Sequence, residues 1–211
     1  VGYLKLVSNL RRIVSDVRIR RIVLKRIRMF KKTGRDRRKV FSELCFCILT
    51  ANYTAEGGIR IQREIGEDFF KLNRLELAEK LRSLGYRYPE TRAKYIVEAR
   101  MLFDDVWRIL KEEDEQTKIR RWLADNVRGI GFKEASHFLR NIGFSNLAII
   151  DKHVLRVLNR YGLIRSIPKT LSRGKYLEIE QTLSKIASEL KVSLAELDLY
   201  LWYIDTGKVL K

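Results

Sequence analysis

The stretch 127–153, VRGIGFKEASHFLRNIGFSNLAIIDKH, decides how the chain is read. Gly129-Ile130-Gly131 interrupts two helical patterns, and Lys133 follows in the first turn of the second. Before the glycines Ile119, Trp122 and Leu123 recur at helical spacing; after them Ala135, Phe138 and Leu139 do the same. That arrangement predicts two packed helices joined by a tight turn. The apolar run 147–150 then delivers Asp151 to the start of a further helical pattern, where it reads as an N-cap. Such a turn gathers backbone N–H groups at a helix start, and the positive helix end makes it a seat for phosphate. Glycine suits it because the turn wants φ > 0 and a side chain would obstruct an approaching sugar–phosphate backbone.

Outward from this stretch the chain reads as all-α. Alternating β-branched runs are scarce and prolines stand only at 89 and 168. Helical periodicity covers 4–30, ending at Thr33-Gly34, with 31–39 expected as a solvated loop. It resumes over 40–50, 55–65, 75–84, 91–111, 116–127, 132–141, 151–161, 174–190 and 193–205, the last opening on a Ser193-x-x-Glu196 capping box. We expect two helical lobes around a central cleft, one from 1–38 with 145–211 and one from 39–144 carrying the hairpin. Cys45 and Cys47 sit in the apolar run of the 40–50 helix without a second pair, which argues against zinc or an iron–sulfur cluster and for buried small hydrophobes. No run approaches the roughly 20 apolar residues of a membrane span. The expectation is a soluble, cytoplasmic, nucleoid-associated protein without a membrane partner, and a monomer by default.

Charge narrows the partner. Lys and Arg number 44 against 26 Asp and Glu, a net +18, so a polyanion is implied, nucleic acid first and an anionic membrane surface second. Lys133 stands where the helix dipole disfavours a cation, a placement with a chemical use, since an amine is a nucleophile only when unprotonated. Asp151 could stabilise a cationic sugar as a glycosidic bond breaks, or orient the amine. The plainer readings are a lysine touching phosphate and an aspartate that only caps, in a DNA-binding module without chemistry.

GIGFKEASHFLRNIGF followed by AIIDKH resembles the helix–hairpin–helix DNA glycosylases with a catalytic lysine and aspartate, and within them the type-2 8-oxoguanine DNA glycosylases. The similarity extends to FSELCFCILTANYTAEGG, LGYRYPETRAKYI and LDLYLWYIDTGKVLK. It implies a bifunctional glycosylase and AP lyase that excises 8-oxoguanine from double-stranded DNA. The damaged nucleotide is turned out of the stack, since its reactive carbon is unreachable there. Lys133 would attack C1′ and form a Schiff base, β-elimination would nick the strand 3′ to the lesion, and Asp151 would support the sugar charge. The resemblance further implies phosphate held by the main chain of Gly129, Ile130 and Gly131. His137 and Trp202 would stack on the lesion, and the α-carboxylate of Lys211 would accept from its N1–H and N2 amine. Asn52 would fill the gap in the duplex, and Tyr86 or Tyr88 would wedge it open. No cofactor is required, although carbonyls of Asp125, Val127 and Ile130 could hold a structural cation. A glycosylase of another base specificity, or one using water without strand nicking, is the alternative within the same fold.

Overall fold

The computed structural model describes residues 2–51 and 53–209, and among them the secondary structure is entirely helical, thirteen helices without a strand. They fall into two compact units, 33–142 and 1–32 with 143–211. None of the described helices is long and apolar enough to cross a membrane.

The unit 33–142 is built around α3 (Arg37–Thr50). Asp36 caps it, its carboxylate accepting from the amides of Arg38 and Lys39, and that cap holds the Asp36 carboxyl below its usual range. From Val40 onward nearly every side chain is buried, including Phe41, Leu44, Phe46, Ile48 and Leu49 at 0% exposure. A helix apolar all round must be enclosed on every side. Around it lie α4 (Ala55–Ile65), α7 (Pro89–Met101) and α10 (Phe132–Asn141), while α6 (Arg74–Ser83) packs on α7 and α9 (Gln116–Asn126) on α10. Burial of each Leu, Ile or Phe here contributes about 1.5–3 kcal/mol. Cys45 and Cys47 belong to this core as free thiols, and burial pushes the Cys45 thiol well up.

The other unit joins α1 (Gly2–Ser15) and α2 (Val17–Thr33) to α11 (Lys152–Arg160), α12 (Arg173–Leu190) and α13 (Leu194–Thr206). Helices α11, α12 and α1 all pack on α13, whose Leu194, Leu197, Leu199, Tyr200 and Leu201 are buried. The Ser193–Glu196 capping box starts α13 as expected, and Gly207 ends it at φ 71°.

Three expected boundaries move. The 4–30 segment is two helices, because Asp16 turns its carboxylate onto the amides of Arg18 and Ile19 and starts α2 afresh. The 31–39 loop shrinks to the three residues between α2 and α3; a Cβ on Gly34 would stand 1.9 Å from the Ile142 carbonyl, so only glycine fits that crossing. The 91–111 helix breaks at Leu102 into α7 and α8 (Phe103–Glu112), and a single turn, α5 (Asp68–Lys71), precedes α6.

Candidate active site

Helices α9 and α10 form the expected hairpin. Ile119, Leu123, Val127, Ile130, Ala135, Phe138 and Leu139 are buried between them and against the core, with Trp122 half-buried. The Ile130 amide closes the turn on the Val127 carbonyl at 3.1 Å. The two glycines have different reasons. Gly129 lies at φ 84°, and a Cβ there would also run into the Tyr95 ring at 2.6 Å. Gly131 sits at φ −95°, open to any residue, and its amide donates to Glu134 Oε2 at 3.2 Å in a capping-box arrangement.

Lys133 is the second residue of α10, its side chain 30% exposed, with Nζ 2.9 Å from Glu134 Oε1. Glu134 therefore caps the helix through one oxygen and pairs with the lysine through the other. Helix α10 is pinned from beneath. Arg120, 1% exposed, stacks its guanidinium over the Phe132 ring at 4.3 Å and reaches the Ser136 hydroxyl at 3.4 Å. At the far end Asn141 donates to Glu43 of α3 at 2.9 Å, Gln62 donates to the same carboxylate, and Arg140 donates to Asn141. A carboxylate buried this deeply needs such donors. His137, half-buried one turn after Lys133, meets Phe46 edge-on at 5.7 Å.

Asp151 belongs to the other unit. The run 147–150 has no regular secondary structure and is buried, held by α12: Glu180 accepts from the Ala148 amide at 2.8 Å, and the Tyr176 hydroxyl donates to the Ala148 carbonyl at 2.7 Å. This fixes Asp151 as the N-cap of α11, where Oδ1 accepts from the amides of His153 and Val154, both at 2.9 Å. Oδ2 stands outside the cap. Two residues on, His153 faces the Trp202 ring at 3.9 Å between centroids. The Asp205 carboxylate, 4% exposed, gathers His153 Nδ1 at 2.7 Å, Arg156 through Nε at 3.0 Å and Nη2 at 2.5 Å, and Arg160 at 3.1 Å. Burial pushes the Asp205 carboxyl up, but its bonds to Arg156 and His153 outweigh burial and hold it below the usual range. The same bond raises Arg156.

A family model described as 8-oxoguanine DNA glycosylase matches residues 23–192. The chain belongs to that family. It is 49% identical over 211 residues to the 8-oxoguanine DNA glycosylase/AP lyase of Korarchaeum cryptofilum, with all of both chains covered. It is also similar to the crystal structure of Methanocaldococcus jannaschii 8-oxoguanine glycosylase/lyase in complex with a 15mer DNA containing 8-oxoguanine. There the TM-score is 0.93 at 50% identity, covering 98% of this chain and 100% of that one. The 8-oxoguanine DNA glycosylase of Thermotoga maritima gives a TM-score of 0.91 at 47% identity, covering 99% and 100%.

Set against this 8-oxoguanine DNA glycosylase family, the sequence-derived residues sort as follows. Lys133 and His137 share α10 in one unit; in the other, Asp151 caps α11 and Trp202 lies on α13. Asn52 and Lys211 lie outside the described residues. Tyr86 needs correction as a wedge: it is 5% exposed and its hydroxyl donates to the Leu49 carbonyl at 2.5 Å, so it is a core residue. Burial also raises that hydroxyl above its ordinary range. Tyr88, 44% exposed, is the tyrosine of that loop open to a partner. Ile130 buries its side chain, so any contact with phosphate falls to its main chain. At the expected cation position the Val127 carbonyl accepts one hydrogen bond and keeps a second lone pair, and carbonyl oxygens are hard donors suited to alkali and alkaline-earth ions. Glu134, His153 and Asp205 are absent from the sequence-derived set. Only Glu134 left a local signal, the Gly131-x-x-Glu134 spacing of a capping box.

Proposed function

We propose that this protein excises 8-oxoguanine from double-stranded DNA as a glycosylase and then cuts the strand as an AP lyase, with Lys133 as nucleophile and Asp151 as its supporting carboxylate. The observation that carries the reading is a lysine in the first turn of α10, directly after the hairpin, in a chain of this family from end to end. At rest the Lys133 ammonium is paired with Glu134; to react it must leave that pair and give up a proton. The amine lone pair then bonds to C1′, and the C1′–N9 electron pair departs with the oxidised base. Ring opening leaves a Schiff base, loss of a C2′ proton expels the 3′ phosphate, and water returns the free lysine. Asp151, with Oδ1 committed to the α11 cap, offers Oδ2 to the positive charge that develops on the sugar.

Around this chemistry His137 and Trp202 contact the lesion, and the Lys211 α-carboxylate accepts from N1–H and the N2 amine. Asn52 and Tyr88 engage the opened duplex, and the main chain of Gly129, Ile130 and Gly131 holds phosphate. Carbonyls of Asp125, Val127 and Ile130 would hold a structural cation that adds positive charge beside that phosphate. With DNA as its substrate, the enzyme would work in the cytoplasm, on the nucleoid. A 5′-labelled duplex with one 8-oxoguanine tests the proposal. We expect strand scission without alkali; base release with an intact strand means a water-using glycosylase, and neither product means a binding module. Deleting Lys211, or appending one residue, should slow excision; unchanged excision in both removes it from lesion recognition.

A further inference from the structure

Helix α2, VRIRRIVLKRIRMFKKT, carries eight cations in seventeen residues, and no acid occurs from 17 to 35. Five of the cations, Arg18, Arg21, Lys25, Arg28 and Lys32, recur at alternating three- and four-residue steps, and all five are exposed. At 3.6 residues per turn they fall within about 80° of one another, on the side opposite the buried Val23 and Phe30. The row is about 21 Å long, over half a turn of duplex. Among the described residues none of the five makes an ion pair. Some exposed cations elsewhere do, among them Arg37 with Asp104, Arg38 with Glu67, Arg82 with Glu90 and Lys175 with Glu178. Neighbouring like charges at these steps weaken a helix, and Arg18 in the first turn also opposes the helix dipole. The row therefore costs stability in the isolated chain, a cost that a row of phosphates would offset.

We propose that this face of α2, in addition to the hairpin, is a DNA-binding surface that grips the backbone of undamaged duplex without reading sequence. It rests on DNA being the substrate. Evenly spaced side chains carrying charge, with no aromatic among the five, suit phosphates rather than unstacked bases.

The test compares R18Q/R21Q/K25Q/R28Q with a control that removes four paired cations, R37Q/R38Q/R82Q/K175Q. Affinity for undamaged duplex is measured against KCl concentration. Losing four phosphate contacts should reduce the slope of log K against log salt by about 3.6, with the control changing it by less than about 1. Single-turnover excision from a short 8-oxoguanine duplex at saturating enzyme should be unchanged, and melting should be no lower than wild type, since repulsion is relieved. Arg18→Lys with Arg21→Lys and Arg28→Lys should keep the slope. A slope within about 1 unit of wild type, or an equal fall in the control, overturns the proposal. So does a variant that loses binding to phosphatidylglycerol vesicles while its DNA slope stays put, which would make the face a membrane surface. Absence of excision by the wild type would instead sink the proposed function and leave the slope comparison standing.

Discussion

Asp205→Asn is the perturbation whose size the structure defines best. The carboxylate is 4% exposed and accepts four hydrogen bonds, two from Arg156 and one each from His153 and Arg160. Breaking a fully buried pair costs about 3–5 kcal/mol. Here Arg156 and Arg160 are 43% and 52% exposed, so both return to water when the anion is lost, and most of their share is recovered. What remains is the His153 bond and the packing of a neutral amide among cations, about 2 kcal/mol. For a chain of this size that lowers Tm by about 4–8 °C. The pH dependence has a definite sign. The Asp205 carboxyl is held below its ordinary value of 3.8, so its contribution is present above that value and is lost as pH falls through the lower folded one. Melts followed by tryptophan fluorescence at pH 7, 5 and 3 should show the full gap at the first two and a narrowing gap at the third. A gap under about 0.5 kcal/mol at pH 7, or one that widens on acidification, refutes the reasoning.

Four further changes separate structure from chemistry. Tyr86→Phe should cost about 1 kcal/mol in urea unfolding through the lost bond to Leu49 and leave excision intact, whereas Tyr88→Ala should leave the melt unchanged and weaken duplex binding. Asn141→Ala removes a donor from the buried Glu43 and should cost about 2 kcal/mol, read by denaturant unfolding. Lys191, at the C-cap of α12, is the one non-glycine among the described residues with positive φ, 54°, so Lys191→Gly should stabilise by about 1 kcal/mol in the same assay.

Much of the fold is written in local signals. The unbroken apolar run of α3, the glycine turn between α9 and α10, Asp151 at a helix start and the Ser193–Glu196 box each act within a few residues, and the structure reproduces all four. Where the signal is weak the boundaries slip. Asp16 is one acid inside a basic periodic segment, and Leu102 ends α7 without glycine or proline. Tyr86 misled for a related reason: a loop residue beside Arg87 resembles a surface aromatic, and only the tertiary path of α3 shows that its hydroxyl reaches a buried carbonyl. The Asp205 cluster is invisible for a stronger reason. Its partners lie 45 to 52 positions away, and what joins them is the packing of α11 against α13. Glu134 sits between these cases, since spacing shows the cap but not that the second oxygen takes the lysine.

The catalytic assignment turns on which protein atom bonds to the sugar. Borohydride reduction during turnover on an 8-oxoguanine duplex should yield a covalent protein–DNA adduct, with the linked peptide mapping to Lys133. Lys133→Gln should still bind the duplex and give no adduct. Trapping by that variant at the wild-type level, or a linked peptide containing any other amine, would contradict the assignment.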